Sequence, residues 1–372
     1  MKTRQADYRS LDAARLAAAF LIVAIHVGPF AGGGIFDAWI TYGLTRVGVP
    51  YFFMLTGFFV LSGYGRKNFR EKLFAMLRKL LLLYLAATML YLPFSWRAGN
   101  LPTESFLKGN IIGGIGAVLR WILMDGTFYH LWYLPAAVIG CLLVSGGFYL
   151  LSKAECRHPL KVLSGIAAAL YVVGVFGDSW YGLISGLPVL EKCYDAVFTV
   201  GSYTRNGILF APVFLLLGVF LAKYKISRSK RFVWTACAVS AGLLTAESLF
   251  TWAMGYQKHN SMYFLLLPCM LFLFEGLLQT KMKGEKNFAW CREVSMWIYL
   301  LHPLMLIFIR GGLGVIEKLG ASGIKTWVLS YNGIFYLLVC STTFAVSFLL
   351  WMGKEKLRGR RGVRDGKKPG MD

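Results

Sequence analysis

Arg15 and His26 stand eleven positions apart in an apolar run that opens Leu11-Asp12-Ala13-Ala14-Arg15. At 100° per residue the eleven steps turn a helix by about 1100°, some 20° past three full turns, so the two side chains share one face. At 1.5 Å per residue they stand roughly 16 Å apart along the axis. That geometry suits an acyl-CoA entering from the cytoplasm, with the guanidinium at the phosphates and the imidazole at the thioester end of the pantetheine arm. An imidazole there takes a proton from an attacking hydroxyl or amine, or carries the acyl group itself. The same spacing also fits a plainer arrangement, with Arg15 snorkelling to lipid headgroups and His26 hydrogen-bonded to a neighbouring helix. Spacing alone leaves both open.

Other residues carry chemistry at a distance from this pair. His302 precedes Pro303, which has no backbone N–H to donate, so a local break can open a cavity beside the histidine. It suits a bond to His26 or to an acyl carbonyl, and equally a structural role. The loop with Arg66, Lys67 and Arg70 puts positive charge where CoA phosphates arrive, although orientation in the membrane explains such a loop as well. A second group falls at the opposite ends of the apolar runs: Asp125, His130, Trp132, Asp178, Trp180, Asp195, Arg205, Glu247 and His259. Arg205 with Glu247 or Asp178 fits the carboxylate and ammonium of an amino acid, and Trp132 and Trp180 fit a stacked sugar. Singly, each is also an ordinary interface anchor or loop ion pair. Glu275, near the end of its run, is expected to pair with a basic neighbour. No metal-ligand set and no glycosidase carboxylate pair appears at usable spacing. Gly32-Gly33-Gly34 lacks the Lys-Ser/Thr of a phosphate loop, and the seven cysteines, without CxxC spacing, are expected to be core packing.

The elements that must position these residues are set by composition. Of 372 residues 57% are hydrophobic and only 16% charged, and mean hydropathy is +0.56. A water-soluble domain carries about a quarter charged residues, so the chain belongs in a bilayer. Ten runs approach the roughly 20 apolar residues a spanning helix needs: 11–30, 44–63, 80–96, 131–152, 161–177, 206–223, 232–250, 261–279, 294–310 and 328–351. The stretch from Gly99 to Tyr129 reads as a re-entrant or interfacial element. The first run carries Arg15 and His26 and reads as a retained helix, not a signal peptide.

The expected fold is therefore an all-α polytopic bundle of about ten transmembrane helices. It forms one membrane domain over 1–353, followed by a basic tail over 354–372. The net charge of +22 would suggest nucleic acid in a soluble protein. Sorted along the runs, however, 30 of the 40 Lys and Arg fall in the six segments on one side. That bias predicts that both termini are cytoplasmic, and anionic lipid rather than nucleic acid is the expected partner of the tail.

Four stretches carry a family resemblance. Leu11-Asp12-x-x-Arg15, ten residues, then His26 resembles the first-helix signature of the membrane acyltransferase 3 family. Phe52-Phe53-Met54-Leu55-Thr56-Gly57 is similar to its Phe-Phe-x-x-Ser-Gly element, with Thr56 in place of serine. His130-Leu131-Trp132-Tyr133-Leu134-Pro135 and Ile298-Tyr299-Leu300-Leu301-His302-Pro303 resemble its later histidine motifs. The resemblance implies ten spans in the plasma membrane and an acyl-CoA donor, acetyl-CoA foremost. It makes His26 base or acyl carrier and Arg15 a donor-positioning group. His302 completes the catalytic set, and the acceptor lies in the cell envelope or outside.

Gly177-Asp178-Ser179-Trp180, Thr204-Arg205-Asn206-Gly207, Glu247-Ser248 and Lys258-His259-Asn260-Ser261 resemble the membrane half of VanT-type serine racemases. This likeness implies the alternatives of a transporter for serine or a related amino acid, or a membrane partner of a separate racemase. No pyridoxal phosphate and no metal are expected, and racemisation by these 372 residues alone is not.

Overall fold

Backbone polar groups inside a bilayer must be satisfied within the segment, which leaves the apolar runs little choice but helix. A computed structural model describes residues 7–224, 228–282, 287–320 and 323–364, and every regular element among them is helical. In chain order these are α1 (Arg9–Val27), α2 (Gly48–Phe59), α3 (Phe69–Arg97), α4 (Glu104–Leu107), α5 (Ile111–Arg120), α6 (Tyr133–Lys153) and α7 (Pro159–Phe176). They continue with α8 (Pro188–Val200), α9 (Ala211–Lys223), α10 (Lys230–Ala253), α11 (Leu266–Gln279), α12 (Trp290–Lys318), α13 (Ile324–Ser330) and α14 (Asn332–Arg364). Lys2, Arg4, Lys225, Lys283, Lys286 and the tail beyond Arg364 lie outside the described residues. Within them α14 runs on through the start of the basic segment to Arg364.

Eight helical segments are long and apolar enough to cross a membrane, and they coincide with eight of the ten expected runs. The other two, 206–223 and 261–279, form helices only over Ala211–Lys223 and Leu266–Gln279. At 1.5 Å per residue each reaches about 20 Å, short of a hydrocarbon core of about 30 Å. The backbone before each helix is held open by a side chain. Asn206 Oδ1 accepts from the N–H groups of Ile208 and Leu209, both at 2.9 Å. The Glu247 carboxylate accepts from the N–H groups of Phe264 and Leu265, both at 2.8 Å. The Gly99–Tyr129 stretch forms α5, ten residues long and too short to cross, with Ile111, Ile112, Ile115 and Leu119 exposed.

The chain divides into two compact units, Met1–Asp37 with Leu277–Asp372, and Ala38–Gly276. In the first, α1, α12 and α14 pack together around Ala19, Val23, Ile298, Leu306, Phe335 and Val339. The alanines of α1 let neighbouring backbones approach closely. Side chains then bond across helices: Tyr336 donates to the Phe20 carbonyl at 3.2 Å and Ser10 to the Leu277 carbonyl at 2.7 Å.

In the second unit the tightest pairing is α2 against α9. Gly57 faces the Leu215 carbonyl and Gly218 the Met54 carbonyl, so the two backbones touch at both places. Thr56 spends its hydroxyl on the Phe52 carbonyl of its own helix at 3.1 Å, a bond that serine makes equally well. Along α3, Leu81, Leu82, Leu85 and Met89 are all more than half exposed. Such a face is a liability in water and is the expected lipid contact of a membrane protein.

Candidate functional site

In the first unit the sequence-predicted pair meets a third residue. His26, half-buried on α1, stacks on His302 of α12, with ring centroids 5.2 Å apart and planes 23° from parallel. His302 is fully buried, and its Nδ1 lies 3.1 Å from the Ile298 carbonyl. A carbonyl only accepts, so Nδ1 carries the proton and Nε2 keeps its lone pair. Pro303 contributes locally: it has no N–H for the Tyr299 carbonyl one turn back, and that carbonyl also faces the imidazole. His302 thus meets His26 through a ring stack.

Arg15, just over three turns before His26 along α1, is held by Asp12. Its Nε donates to Oδ1 at 3.2 Å. Asp12 is buried, and it also accepts two bonds from Arg292 of α12, Nε to Oδ1 at 2.8 Å and Nη2 to Oδ2 at 2.7 Å. One carboxylate therefore orients two guanidinium groups, and the cluster retains a net positive charge suited to phosphate. Asp12→Asn removes the charge that both arginines share. We expect it to lower stability by about 1.5–3 kcal/mol, measured as a fall in apparent Tm of the purified protein.

In the second unit Arg66, Lys67 and Arg70 line a groove of about 650 Å³ together with Phe69, Leu73 and Tyr149. The groove joins a basic side to apolar walls, a lining that accepts an amphipathic anion. Glu275 pairs with Arg228 at 3.3 Å, as its position in the sequence suggests. Five of the seven free cysteines are buried, with Cys156 half-buried and Cys193 exposed.

The remaining predicted residues gather around the two irregular segments of the second unit. Trp180 Nε1 donates to Glu247 Oε1 at 2.8 Å, so Glu247 is committed to the indole and to the start of α11. The two also line an apolar pocket of about 370 Å³ with Leu243, Phe250 and Phe264. His130 is buried among the rings of Tyr91, Phe128 and Tyr129. Trp132 is buried as well, with the Arg205 guanidinium 5.3 Å from its ring.

Arg205 also lies over Tyr203 at 4.2 Å and donates to Ser261 Oγ at 3.0 Å. Asp178, fully buried, accepts at Oδ1 from the N–H groups of Ser261 at 2.6 Å and Met262 at 3.0 Å. Burial pushes its carboxyl up to about 6 against these bonds, leaving it ionised at neutral pH. Burial, with the charges of Arg205 and Lys258, holds His259 down at about 4 and neutral. Arg205 therefore shares Ser261 with Asp178, whereas Glu247 serves the neighbouring backbone.

Sequence reasoning missed Arg46, which is buried and donates to Asn260 Oδ1. An arginine four residues before Pro50, inside the apolar run 44–63, meets the criterion for an intramembrane functional residue. Asp12 was visible as part of a motif, but its bond to Arg292, 280 positions away, left no local signal.

These elements make a polytopic helical membrane protein whose best-formed polar clusters are a stacked histidine pair and a buried arginine–aspartate group. The model of the acyltransferase domain family matches residues 8–352, and the chain belongs to this acyltransferase 3 family. It is 35% identical over 356 residues to an amino-acid racemase of Enterococcus faecalis, an alignment covering 94% of this chain and 46% of the relative. A second amino-acid racemase of Enterococcus faecalis is 36% identical over 76% of this chain and 37% of its own length. A serine/alanine racemase of Enterococcus gallinarum is 34% identical over 79% and 40% respectively. The chain thus spans less than half the length of these curated relatives. No solved structure matches it.

Proposed function

We propose that the chain is a plasma-membrane acyltransferase. It moves an acyl group, acetyl in the first instance, from cytoplasmic acyl-CoA to a hydroxyl or amine of a cell-envelope or external acceptor. Membership of the family supports transfer, and the observation that carries the reading is the His26–His302 stack on the helix that also bears Arg15. An imidazole nitrogen of His26 takes the proton of the acceptor O–H or N–H. The acceptor atom bonds to the thioester carbonyl carbon, the C–S bond breaks, and the departing CoA thiolate recovers the proton. If His26 instead carries the acyl group, its nitrogen makes the first attack and the acceptor makes the second. His302 is a positioning residue whose buried ring fixes the plane of the His26 ring, while Arg15 and Arg292 take the phosphates. In their own groove, Arg66, Lys67 and Arg70 are proposed to bind phosphate groups, and His130, Trp132, Asp178, Trp180, Arg205 and Glu247 to bind polar groups of a substrate.

The loop charges support both termini in the cytoplasm and ten crossings, with the two short helices completed by irregular chain. Fusion reporters placed after Lys153 and after Arg364 should both report the cytoplasmic side.

The test of the donor site is release of CoA thiol from acetyl-CoA by the purified protein. Arg15→Gln is expected to raise the KM for acetyl-CoA about ten-fold or more, through loss of a charge-assisted bond, with kcat nearly kept. A KM unchanged by Arg15→Gln would remove Arg15 from the donor site, and absence of any thiol release across a panel of acceptors would remove the reading. The racemase names of the relatives are compatible with an alternative role in handling serine or another amino acid, or as partner of a separate racemase. Saturable serine uptake by proteoliposomes without acyl-CoA would favour that alternative.

A further inference from the structure

Arg66, Lys67 and Arg70 have no carboxylate partner among the described residues, whereas Arg9, Arg15, Arg228, Arg292 and Lys354 each have one. The three stand at one end of the groove between the start of α3 and the last turns of α6, and no acidic side chain lines it. Lys153 adds a fourth cation at that end, its Nζ 5.0 Å from the ring centre of Tyr149. Beyond the charges the walls are apolar. Leu73 is buried, while Phe74 is 69% and Leu142 52% exposed. Leu81 and Leu85 lie seven and eleven positions after Phe74, which places all three within about 20° of one line along α3. The groove wall therefore continues into the row of exposed leucines that meets lipid. The floor comes from α6. Ser145 spends its hydroxyl on the Cys141 carbonyl at 2.6 Å, and a Cβ added to Gly146 would meet nothing within 4 Å.

A groove built this way asks for an anion at one end and a run of apolar atoms leading away from it. A soluble phosphate ester answers only the first demand. We propose that the groove binds an anionic phospholipid, with the phosphate between Arg66, Lys67 and Arg70 and the upper part of one acyl chain laid past Phe74 and Leu142 over Gly146. Guanidinium and ammonium groups suit the phosphate oxygens, and basic pockets between spanning helices hold lipid headgroups by this pairing of charge with apolar contact. Tyr64 and Tyr149, which also line the groove, have the amphipathic rings that favour headgroup depth. The volume of about 650 Å³ is that of a small-molecule pocket. The proposal rests on the phosphate-binding reading of the three cations and adds which molecule carries the phosphate. Bound there, the lipid bridges the ends of α3 and α6.

The test uses the full chain, delipidated in detergent, and counts bound molecules by native mass spectrometry. Three probes separate the chemistry. Dioleoyl phosphatidylglycerol carries charge and chains, dioleoyl phosphatidylcholine keeps the chains without net charge, and glycerophosphoglycerol keeps the charged headgroup without chains. One phosphatidylglycerol is expected to bind saturably, with the other two probes weaker by about ten-fold or more. Gly146→Leu fills the groove where the chain lies and leaves the three cations in place. It should weaken phosphatidylglycerol about ten-fold and leave glycerophosphoglycerol unchanged. Arg66→Gln combined with Arg70→Gln should weaken both. Because the probe series is run on the unaltered protein, it decides the matter even if a variant fails to fold. Phosphatidylcholine bound as tightly as phosphatidylglycerol would overturn the proposal. Glycerophosphoglycerol bound as tightly as phosphatidylglycerol would also overturn it, while leaving the phosphate reading intact. If the double arginine variant changes the binding of neither anion, the phosphate reading falls with it.

Discussion

Replacing His26 by alanine is expected to cut acetyl-CoA-dependent turnover by at least about 100-fold while leaving the protein folded. The packing of α1 rests on Leu11, Ala19, Val23 and Val27, whereas His26 is only half-buried. Truncating its ring therefore removes chemistry and little core. His302 is the harder test because it is fully buried, so loss of its ring disturbs α12 as well. His302→Asn keeps an N–H donor for the Ile298 carbonyl and should retain more activity than His302→Leu. In both variants the loss should fall on kcat, with the KM for acetyl-CoA little changed, since a ring that orients His26 does not bind the donor. Turnover that survives His26→Ala would sink the catalytic assignment whatever His302 does. Intact-mass measurement after exposure to acetyl-CoA alone separates the two roles: an acetyl adduct lost in His26→Ala marks an acyl carrier, and no adduct marks a base.

The largest structural effect should come from Gly57 and Gly218. A Cβ on Gly57 would lie 1.9 Å from the Leu215 carbonyl oxygen, and one on Gly218 would lie 2.1 Å from that of Met54. These obstacles are backbone atoms of the facing helix, so no side-chain rotation relieves them and α2 must separate from α9. Gly57→Val or Gly218→Val should therefore cost about 3 kcal/mol or more, the upper end for overpacking, and should appear as loss of the monodisperse species or a large fall in apparent Tm. Gly146 and Gly165 supply the control, being helical with nothing within 4 Å of an added Cβ. Alanine at either should be neutral or stabilise by up to about 1 kcal/mol. Equal behaviour of the two sets would show that α2 and α9 are not in backbone contact.

Much of this was legible in the sequence, for identifiable reasons. Apolar run length located eight membrane-crossing helices because the bilayer imposes both length and composition. The 3.6-residue period placed Arg15 and His26 on one face, and the cost of a buried charge singled out Glu247. Legibility failed where a side chain reorganises a distant backbone. Gly207-Ile208-Leu209-Phe210 is apolar enough to count as span, yet Asn206 takes two of its N–H groups and delays α9 to Ala211. Glu247 stood out as an exception, but besides Trp180 its partners are backbone N–H groups on the far side of a turn, which no side-chain pattern announces. Arg46 and Arg292 were visible only as charges with a topological use. Their real constraint is a partner hundreds of positions away, at Asn260 and at Asp12.

The short reach of α9 and α11 has a consequence for how the protein is made. A nascent segment enters the bilayer on its own when about 20 apolar residues commit together. The thirteen and fourteen residues of these helices fall short of that threshold, and the irregular stretch before each carries polar groups that find bonds only in the finished unit. The helices of Asp37–Gly63 and α10 meet the threshold unaided, and they supply the Met54 and Phe58 backbone for α9 and the Glu247 carboxylate for α11. Each docking partner precedes its short helix in the chain, so the two short helices should be admitted only once those upstream long helices are lodged. Deletion of Asp37–Gly63 should leave α9 outside the membrane.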